Sequence, residues 1–327
     1  MNQKKILKIN NLNVEFAKES TLIDFIFRKS KKTVKAVEDL NLEIGEGEII
    51  GLVGESGSGK SSLIKALVGV NKIKKGKIFY QDKELNFKNK SIKKFLSKQF
   101  QMVFQDPYSS LNPRLRAGRL VREALDRLKV GNSTERSKRV NELFGQVGFS
   151  REQERLFPHQ FSGGQRQRLG IARALASHPD LIICDEPVSA LDVAVQAQLL
   201  NLLRRLQKEI GLTYLFISHD MGVVQHMCDE IAVMYVGQIV EQADRISLFQ
   251  NPLHPYTKGL LATVPSADPR RLKKPQIEIF GEPPSPVDPP PGCRFSSRCP
   301  LVEERCRVET PLLRQIKSNQ KIACHLV

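Results

Sequence analysis

Apolar and polar positions alternate along most of the chain at the spacings of short strands and amphipathic helices. The runs 6–16 and 34–44 alternate with a period of two, which is typical of half-buried strands. Further strands are predicted at 48–53, 77–80, 100–104, 181–184 and 212–217, and helices at 61–68, 117–129, 134–146, 162–177 and 192–209. Strands that alternate with helices predict an α/β fold with a parallel sheet, whose carboxyl edge carries the functional residues.

The composition changes beyond about residue 265. Residues 281–292 are rich in proline and lack too many backbone N–H groups to form a helix or a central strand, so a stiff extended connector is predicted. We therefore expect a first domain at 1–265, with a helical subdomain at about 106–165, and a second region at 266–327 made of linker and cysteine-rich extension. Residues 17–33 form an insertion, interpreted as a surface excursion rather than a helix that touches lipid.

A glycine-rich stretch fits the phosphate-loop pattern G-x-x-x-x-G-K-[ST] and has a strand before it and a helix after it. It consists of Gly54, Glu55, Ser56, Gly57, Ser58, Gly59, Lys60, Ser61 and Ser62. Its backbone N–H groups can surround phosphates, Lys60 can reach the β- and γ-phosphates, and the Ser61 hydroxyl can complete a Mg²⁺ shell. A glycine turn without a ligand is the alternative, which the strand and the helix disfavour.

Two other stretches suggest nucleotide chemistry once the phosphate loop is present. Asp185 and Glu186 follow an apolar strand, so the first can hold Mg²⁺ and the second can polarise a water molecule. Ser162, Gly163, Gly164 and Gln165 begin a helix and form a second anion-binding end. Two phosphate-binding ends in one chain suggest a nucleotide held between two copies. Without the phosphate loop, 185–186 would be interpreted as a solvated turn and 162–165 as the start of an ordinary capped helix.

Charge and hydropathy restrict the function only weakly. The chain has 327 residues, is 40% hydrophobic and carries a formal net charge of +16. This charge is compatible with binding to nucleic acid, with binding to an anionic membrane surface, or simply with a diffuse solvated surface. The basic stretches lack the interleaved aromatic residues that binding of single-stranded nucleic acid requires. No apolar run approaches the ~20 residues of a membrane span, and the N-terminus lacks a signal-peptide pattern. We expect a cytosolic chain unless a partner holds it at a membrane.

The motifs together resemble an ATPase subunit of an ATP-binding cassette (ABC) transporter. The order and spacing of 54–62, Gln105, 162–165, 181–186, 189–192 and His219 are similar to that family over about residues 5–265. The resemblance implies a phosphate-loop NTPase with a RecA-like core built on a parallel sheet, an antiparallel β subdomain and a helical subdomain. It also implies a head-to-tail dimer, with ATP between the phosphate loop of one subunit and 162–165 of the other.

The same resemblance implies roles for four further residues. Gln105 is expected to sense the γ-phosphate, to join the Mg²⁺ shell and to couple to membrane subunits. Asp192 is expected to communicate across the dimer, and His219 to contact the γ-phosphate beside Glu186. Phe16 matches approximately the aromatic residue that stacks on adenine. For His219 and Phe16, an ordinary core position is the alternative.

A closer resemblance is to the importers of oligopeptides and dipeptides. The segments 103–114, 187–192, 251–257 and 292–295 are similar to that group, and 162–168 resembles the second of its two ATPase subunits. This implies ATP hydrolysis that powers peptide import at the cytoplasmic face of the plasma membrane. The implied partners are a sister ATPase in a heterodimer, two permease subunits and an extracytoplasmic binding protein, but no nucleic acid. A soluble ABC ATPase acting on ribosomes or DNA is the alternative, disfavoured by the single cassette and by the lack of heptads.

Four of the six cysteines lie after the proline-rich segment: Cys293, Cys299, Cys306 and Cys324. Their spacing is not that of a zinc ribbon, and disulfides are not expected in the cytosol. Four thiolates suit zinc or an iron–sulfur cluster. The resemblance implies a [4Fe–4S] cluster, with zinc as the alternative and His325 as a substitute ligand. Cys184 and Cys228 are interpreted as small buried hydrophobic residues.

Overall fold

The computed structural model describes residues 4–17, 33–263 and 279–327, which fall into two compact units. The phosphate-loop unit contains the described parts of 5–44, 50–85 and 219–327, and the helical unit contains Lys4, 45–49 and 86–218. The predicted insertion at 17–33 lies almost wholly outside the described residues, as does the expected domain boundary at 265/266. That boundary therefore stays a prediction.

The strands and helices are numbered here along the chain. The strands are β1 (Lys5–Ala17), β2 (Thr33–Gly45), β3 (Ile49–Val53), β4 (Lys75–Tyr80), β5 (Lys83–Glu84), β6 (Phe100–Val103), β7 (Leu181–Asp185), β8 (Thr213–Ser218), β9 (Glu230–Tyr235), β10 (Gln238–Asp244), β11 (Arg314–Lys317) and β12 (Gln320–Ile322). The helices are α1 (Lys60–Leu67), α2 (Lys90–Gln99), α3 (Pro107–Ser110), α4 (Ala117–Leu128), α5 (Ser133–Gln146), α6 (Gly163–Leu175), α7 (Val193–Ile210), α8 (Met221–Met227), α9 (Arg245–Gln250), α10 (Pro255–Ala262) and α11 (Glu304–Val308).

The phosphate-loop unit contains an antiparallel sheet with the strand order β2-β1-β4-β5. Strand β1 runs antiparallel to β4 from the pair Leu7 and Tyr80 to the pair Asn13 and Lys75, with a register shift after Asn10. Its alternating burial follows the period-two pattern of the sequence, since successive side chains of a strand point to opposite faces. This sheet matches the expected antiparallel β subdomain.

A second sheet of the same unit is mixed, whereas a parallel sheet was expected. Strands β3 and β9 are parallel, but β9, β10, β12 and β11 pair antiparallel in that order. The reason is the short turn between Tyr235 and Gln238, since two strands joined by a tight turn can only pair antiparallel. The tail adds β11 and β12 to this sheet, and the buried Glu241 carboxylate accepts a hydrogen bond from Gln320 at 2.8 Å.

In the helical unit, β6, β7 and β8 are parallel, with Phe100 opposite Leu181 and Leu181 opposite Thr213. Strand β8 is buried along its whole length and β7 is buried over all but its last residue, which explains their uninterrupted apolar sequences. The strands end at one edge, so the segments that follow β6 and β7 come together there. Helix α6 packs against α4 and α5.

Most elements agree with the sequence pattern within one or two residues. Helices α6 and α7 lie within two residues of the predicted 162–177 and 192–209. Residues 281–292 contain no helix or strand, as their prolines require. Cys184 and Cys228 are fully buried, as expected of small hydrophobic residues. No described helix combines the length and the apolar character that a membrane crossing requires.

Candidate functional site

The phosphate loop of the phosphate-loop unit depends on glycine at two positions in particular. Gly54 has φ 155° and Gly59 has φ 106°, in the region that side chains rarely allow. A Cβ atom on Gly54 would lie 2.1 Å from the Met234 carbonyl oxygen, and one on Gly59 would lie 2.2 Å from the Ala36 oxygen. The loop therefore packs directly against neighbouring backbone, which holds its curvature.

Lys60 is buried, and the loop closes around its side chain. Its Nζ atom donates hydrogen bonds to the carbonyl oxygens of Gly54 at 2.7 Å and Glu55 at 2.9 Å, and to Ser58 Oγ at 3.2 Å. Lys60 also begins α1, and no side chain among the described residues caps that helix. An ammonium group and a helix N-terminus on one loop make an anion-binding site, because both present positive charge.

Glu55, the second residue of the loop, is held at its backbone and at its side chain. Its backbone N–H donates to the Tyr256 hydroxyl at 2.9 Å. Its carboxylate accepts two hydrogen bonds from the Arg298 guanidinium, at 2.7 and 3.2 Å. The sequence pattern indicated neither partner, because they lie 201 and 243 residues further along the chain. Tyr256 lies within the segment 251–257, which resembles the peptide importers, whereas Arg298 lies three residues beyond the similar segment 292–295.

A cavity of about 450 Å³ lies beside this loop in the same unit. Its walls are the loop residues 55–58, the turn at Tyr235 and Val236, and the proline-rich residues 282–286. The predicted connector is therefore seated against the phosphate loop. The backbone N–H of Lys35 donates to the Pro286 carbonyl at 2.9 Å, which ties the connector to β2.

Two further predicted site residues belong to the phosphate-loop unit. Phe16 is half-buried near the end of β1. His219 is exposed and directly precedes Asp220, whose carboxylate caps α8 through the N–H groups of Gly222 at 2.8 Å and Val223 at 3.2 Å. The cap fixes the chain direction immediately after His219. The adenine and γ-phosphate roles of these two residues stay predictions.

In the helical unit, Gln105 and Glu186 meet at the edge where the parallel strands end. Gln105 Nε2 donates to Glu186 Oε2 at 3.1 Å. Glu186 follows β7 with φ 46°, a left-handed conformation that costs a residue with a side chain about 1–3 kcal/mol. Its N–H donates to the Ile217 carbonyl at 3.0 Å, which holds this conformation in place. Asp185 is the last residue of β7, as predicted.

The segment that carries Gln105 is anchored from two sides. The buried Gln167 of α6 donates to the Phe104 carbonyl at 2.9 Å. Asp106 caps α3, and the hydrogen bond from the Tyr108 N–H lowers the pKa of its carboxyl. Gln105 thus lies between two fixed residues, and its amide is directed to Glu186 by the fold of this unit.

The segment 162–165 begins α6 with a reciprocal cap. Ser162 Oγ accepts from the Gln165 N–H at 3.3 Å, and Gln165 Oε1 accepts from the Ser162 N–H at 2.9 Å. A Cβ atom on Gly164 would lie 2.3 Å from Val195 Cγ1, so this glycine lets the start of α7 approach α6 closely. Asp192 is exposed and directly precedes α7. The predicted capped helix start is confirmed, whereas its anion-binding role stays a prediction.

The four tail cysteines are free thiols; Cys306 and Cys324 are buried, and Cys293 and Cys299 are partly exposed. Burial, together with the nearby thiols of the other three cysteines, raises the pKa of the Cys293 thiol to about 11. The backbone N–H groups of Phe295, Leu301 and Leu326 donate to the sulfur atoms of Cys293, Cys299 and Cys324. Within residues 4–17, 33–263 and 279–327, no group of three or more His, Cys, Asp or Glu side chains is arranged to hold a metal ion.

Two family descriptions match parts of the chain. Residues 37–189 match the family described as ABC transporter. Residues 240–306 match the one described as oligopeptide/dipeptide transporter, C-terminal region. The second match includes Cys293, Cys299 and Cys306 and ends before Cys324.

Relatives match the chain over nearly its whole length. The oligopeptide transport ATP-binding protein AppF of Bacillus subtilis is 42% identical over 99% of this chain and 98% of its own length. The dipeptide transport ATP-binding protein DppF of Haemophilus influenzae is 43% identical, with 91% of each chain covered. The oligopeptide transport ATP-binding protein OppF of the same organism is 40% identical over 99% of this chain and 97% of its own length.

Solved structures agree on the fold. The cbiO1 protein of Clostridium perfringens, part of the ABC transporter complex cbiONQ, is 27% identical, with a TM-score of 0.66 over 76% of this chain and 92% of its own. The ATP-binding cassette MJ0796, dimeric and bound to ADP and phosphate, is 28% identical, with a TM-score of 0.63 over 73% of this chain and 98% of its own. The chain belongs to the family of ATP-binding subunits of oligopeptide and dipeptide ABC transporters.

Proposed function

We propose that this chain binds ATP at its phosphate loop and hydrolyses it to drive the import of dipeptides or oligopeptides. The observation that carries the proposal is that one chain combines a loop closed around Lys60 with a peptide-transporter C-terminal region. The same region disfavours the alternative of a soluble ABC ATPase that acts on ribosomes or DNA.

In the phosphate-loop unit, the nucleotide phosphates are the proposed ligands of the loop. The glycines allow the backbone N–H groups to turn toward the phosphates, and Lys60 exchanges its carbonyl partners for phosphate oxygens. Ser61 would contribute a hydroxyl to Mg²⁺, which supplies charge neutralisation for phosphoryl transfer when bound. In the same proposal Phe16 stacks on adenine and His219 contacts the γ-phosphate.

In the helical unit, Glu186 is the proposed general base. Its carboxylate takes a proton from the attacking water, the water oxygen bonds to the γ-phosphorus, and the bond from that phosphorus to the ADP oxygen breaks. The hydrogen bond from Gln105 at 3.1 Å and the strained backbone of Glu186 support this role, because both restrict where the carboxylate can lie. Asp185, together with Gln105, would contribute oxygen ligands to Mg²⁺.

The proposal includes a dimer with a sister ATPase subunit. Ser162, Gly163, Gly164 and Gln165 would complete the nucleotide site of the sister, and Asp192 would communicate between the two subunits. The exposed Ser162 and Asp192 and the capped start of α6 support this. An isolated chain should therefore hydrolyse ATP poorly. The further partners are two permease subunits and an extracytoplasmic binding protein, which keep the chain at the cytoplasmic face of the plasma membrane.

The tail cysteines are the proposed ligands of a [4Fe–4S] cluster, with zinc as the alternative. Three of the four sulfur atoms accept a backbone N–H two residues further along, and such bonds stabilise thiolates and tune clusters. His325 is a less suitable substitute, because its Nε2 lies 2.9 Å from the Glu309 carbonyl oxygen.

The test of the ATPase proposal is Glu186→Gln in the assembled transporter. The variant keeps the shape of the side chain but removes its basicity, so it should retain ATP while turnover falls by about 10²–10⁴-fold. Glu209→Gln, an exposed carboxylate of the same unit, is the matched control and should hydrolyse ATP normally. Hydrolysis by Glu186→Gln at the wild-type rate would contradict the assignment. Co-purification with nucleic acid instead of membranes would favour the alternative function.

The test of the cluster is anaerobic purification of the full chain, with visible absorption and iron, sulfide and zinc analysis. A brown protein with matching iron and sulfide supports the cluster, and Cys299→Ser should lose it. Cys184→Ala is the control, because Cys184 is buried in β7 and should leave the iron content unchanged. A colourless protein containing zinc would refute the cluster.

A further inference from the structure

The cysteine-rich tail contacts the phosphate loop through one arginine. Arg298 lies directly before Cys299, and its side chain is 7% exposed. Its Nη1 atom donates to Glu55 Oε2 at 2.7 Å and its Nη2 atom to Glu55 Oε1 at 3.2 Å. This paired arrangement is the strong form of an arginine–carboxylate interaction, since each carboxylate oxygen accepts an N–H of the same guanidinium.

The guanidinium of Arg298 is fixed by other groups of the same unit. Its Nε atom donates to the Phe280 carbonyl at 3.2 Å, and Nη1 also donates to the Tyr235 hydroxyl at 3.3 Å. Nearby, the buried Phe295 packs against the rings of Tyr235 and Tyr256, with centroids 5.3 and 5.5 Å apart. The guanidinium therefore has two hydrogen-bond partners besides Glu55, and these limit its movement.

The negative charge of Glu55 would weaken phosphate binding by this loop unless another group compensated it. Its side chain is 30% exposed and lies on the loop whose ligand carries several negative charges. A bare carboxylate there would repel the ligand, and the repulsion would be only partly screened at partial burial. The backbone of Glu55 also bonds to Tyr256 and Lys60, so movement of this residue would disturb the lysine.

We propose that Arg298 is a positioning residue for ATP: it neutralises Glu55 and holds the phosphate loop in its binding shape. The cysteine-rich tail is then a structural part of the ATP site of its own chain. This inference rests on the proposed ATP site and adds to it a residue that acts through Glu55 and does not touch the nucleotide.

The experiment measures the KM for ATP and kcat in the assembled transporter, together with equilibrium binding of a fluorescent ATP analogue to the full chain. Arg298→Gln should raise both the KM and the dissociation constant by about 10-fold, while kcat stays within about twofold, because charge-assisted hydrogen bonds have this order of strength. Arg298→Lys should give an intermediate value, since it keeps the charge but loses the paired geometry.

A double variant separates charge compensation from a general structural defect. Glu55→Gln combined with Arg298→Gln should return the KM to within about threefold of wild type, because no unpaired carboxylate then lies on the loop. The remaining difference would reflect the lost hydrogen bonds that hold the loop. Arg305→Gln is the matched control: it removes an arginine of the same tail from an exposed pair with Glu309, and it should leave the KM unchanged.

Two results would overturn the inference. One is an unchanged KM in Arg298→Gln, and the other is a double variant as impaired as the single one, which would mean that the tail had merely lost its fold. If the proposed ATP site itself were wrong, Lys60→Ala would bind the ATP analogue as tightly as wild type. That result would overturn the proposed site and this inference together.

Discussion

Replacement of Gly164 by alanine should separate the packing of α6 against α7 from helix propensity. Gly164 and Gly170 both lie in α6 and are both buried. A Cβ atom on Gly164 would meet Val195 Cγ1 at 2.3 Å, whereas one on Gly170 would have nothing within 4 Å beyond its own helix backbone. The two substitutions are therefore chemically identical and differ in whether α7 must move.

The magnitudes follow from two opposing effects. Alanine in place of glycine inside a helix stabilises it by about 1 kcal/mol, and this alone applies to Gly170→Ala. An extra methyl group forced into a packed contact costs about 1–3 kcal/mol. The free energy of unfolding of Gly164→Ala should therefore be about 1–3 kcal/mol lower than that of Gly170→Ala. At about 2–4 °C per kcal/mol for units of this size, the two melting temperatures should differ by at least 2 °C.

The assay is thermal unfolding of the full chain together with ATPase activity in the assembled transporter. Gly164→Ala should displace the start of α7, next to Asp192, and lower activity, while Gly170→Ala should keep it. Val195→Ala removes the clashing Cγ1 atom, so Gly164→Ala combined with Val195→Ala should recover activity. Equal stability and activity of the two single variants would refute the reasoning.

Three further outcomes are expected. Gly59→Ala should weaken ATP-analogue binding more than 10-fold, because its Cβ would lie 2.2 Å from the Ala36 oxygen. Gly57 also has a positive φ, but a Cβ there would have nothing within 4 Å, so Gly57→Ala should lose less affinity in the same titration. Gln167→Leu should lower ATPase activity, since the bond that holds Phe104 before Gln105 is lost; an unchanged rate would count against that anchor. Burial lowers the pKa of His254 to about 3, so its stabilising contribution is complete above pH 6.5 and is lost as the pH falls toward 3. His254→Asn, which can still cap Tyr256, should show a shallower fall of unfolding free energy over that range, by up to about 1.4 kcal/mol per pH unit.

Local patterns were sufficient for the elements that are contiguous in the chain. The phosphate loop could be predicted because its strand, glycines, lysine and helix follow one another directly, and the cap of α6 could be predicted from Ser162 and Gln165. The shared edge of β6 and β7 also followed from the alternation of strands and helices. That edge accounts for the meeting of Gln105 with Glu186, although the 3.1 Å hydrogen bond between them depends on the tertiary structure.

Two features depended on contacts between distant parts of the chain. One is the extent of the mixed sheet, because β12 lies near the C-terminus and pairs antiparallel with β10. Short polar strands such as Arg314–Lys317 have no hydrophobic alternation that could have predicted them. Their formation depends on an edge that only the folded unit provides.

The motifs themselves specify a nucleotide-binding cassette, because each is a local backbone shape that a few adjacent residues encode. The pairing of Arg298 with Glu55 across 243 residues is of another kind, since no periodicity or spacing relates the two positions. It exists because the aromatic cluster around Phe295 folds the tail onto the phosphate loop. Chain-local steric and hydrogen-bonding preferences thus determine which chemistry the loop can perform, whereas long-range packing decides which distant side chains hold it in shape.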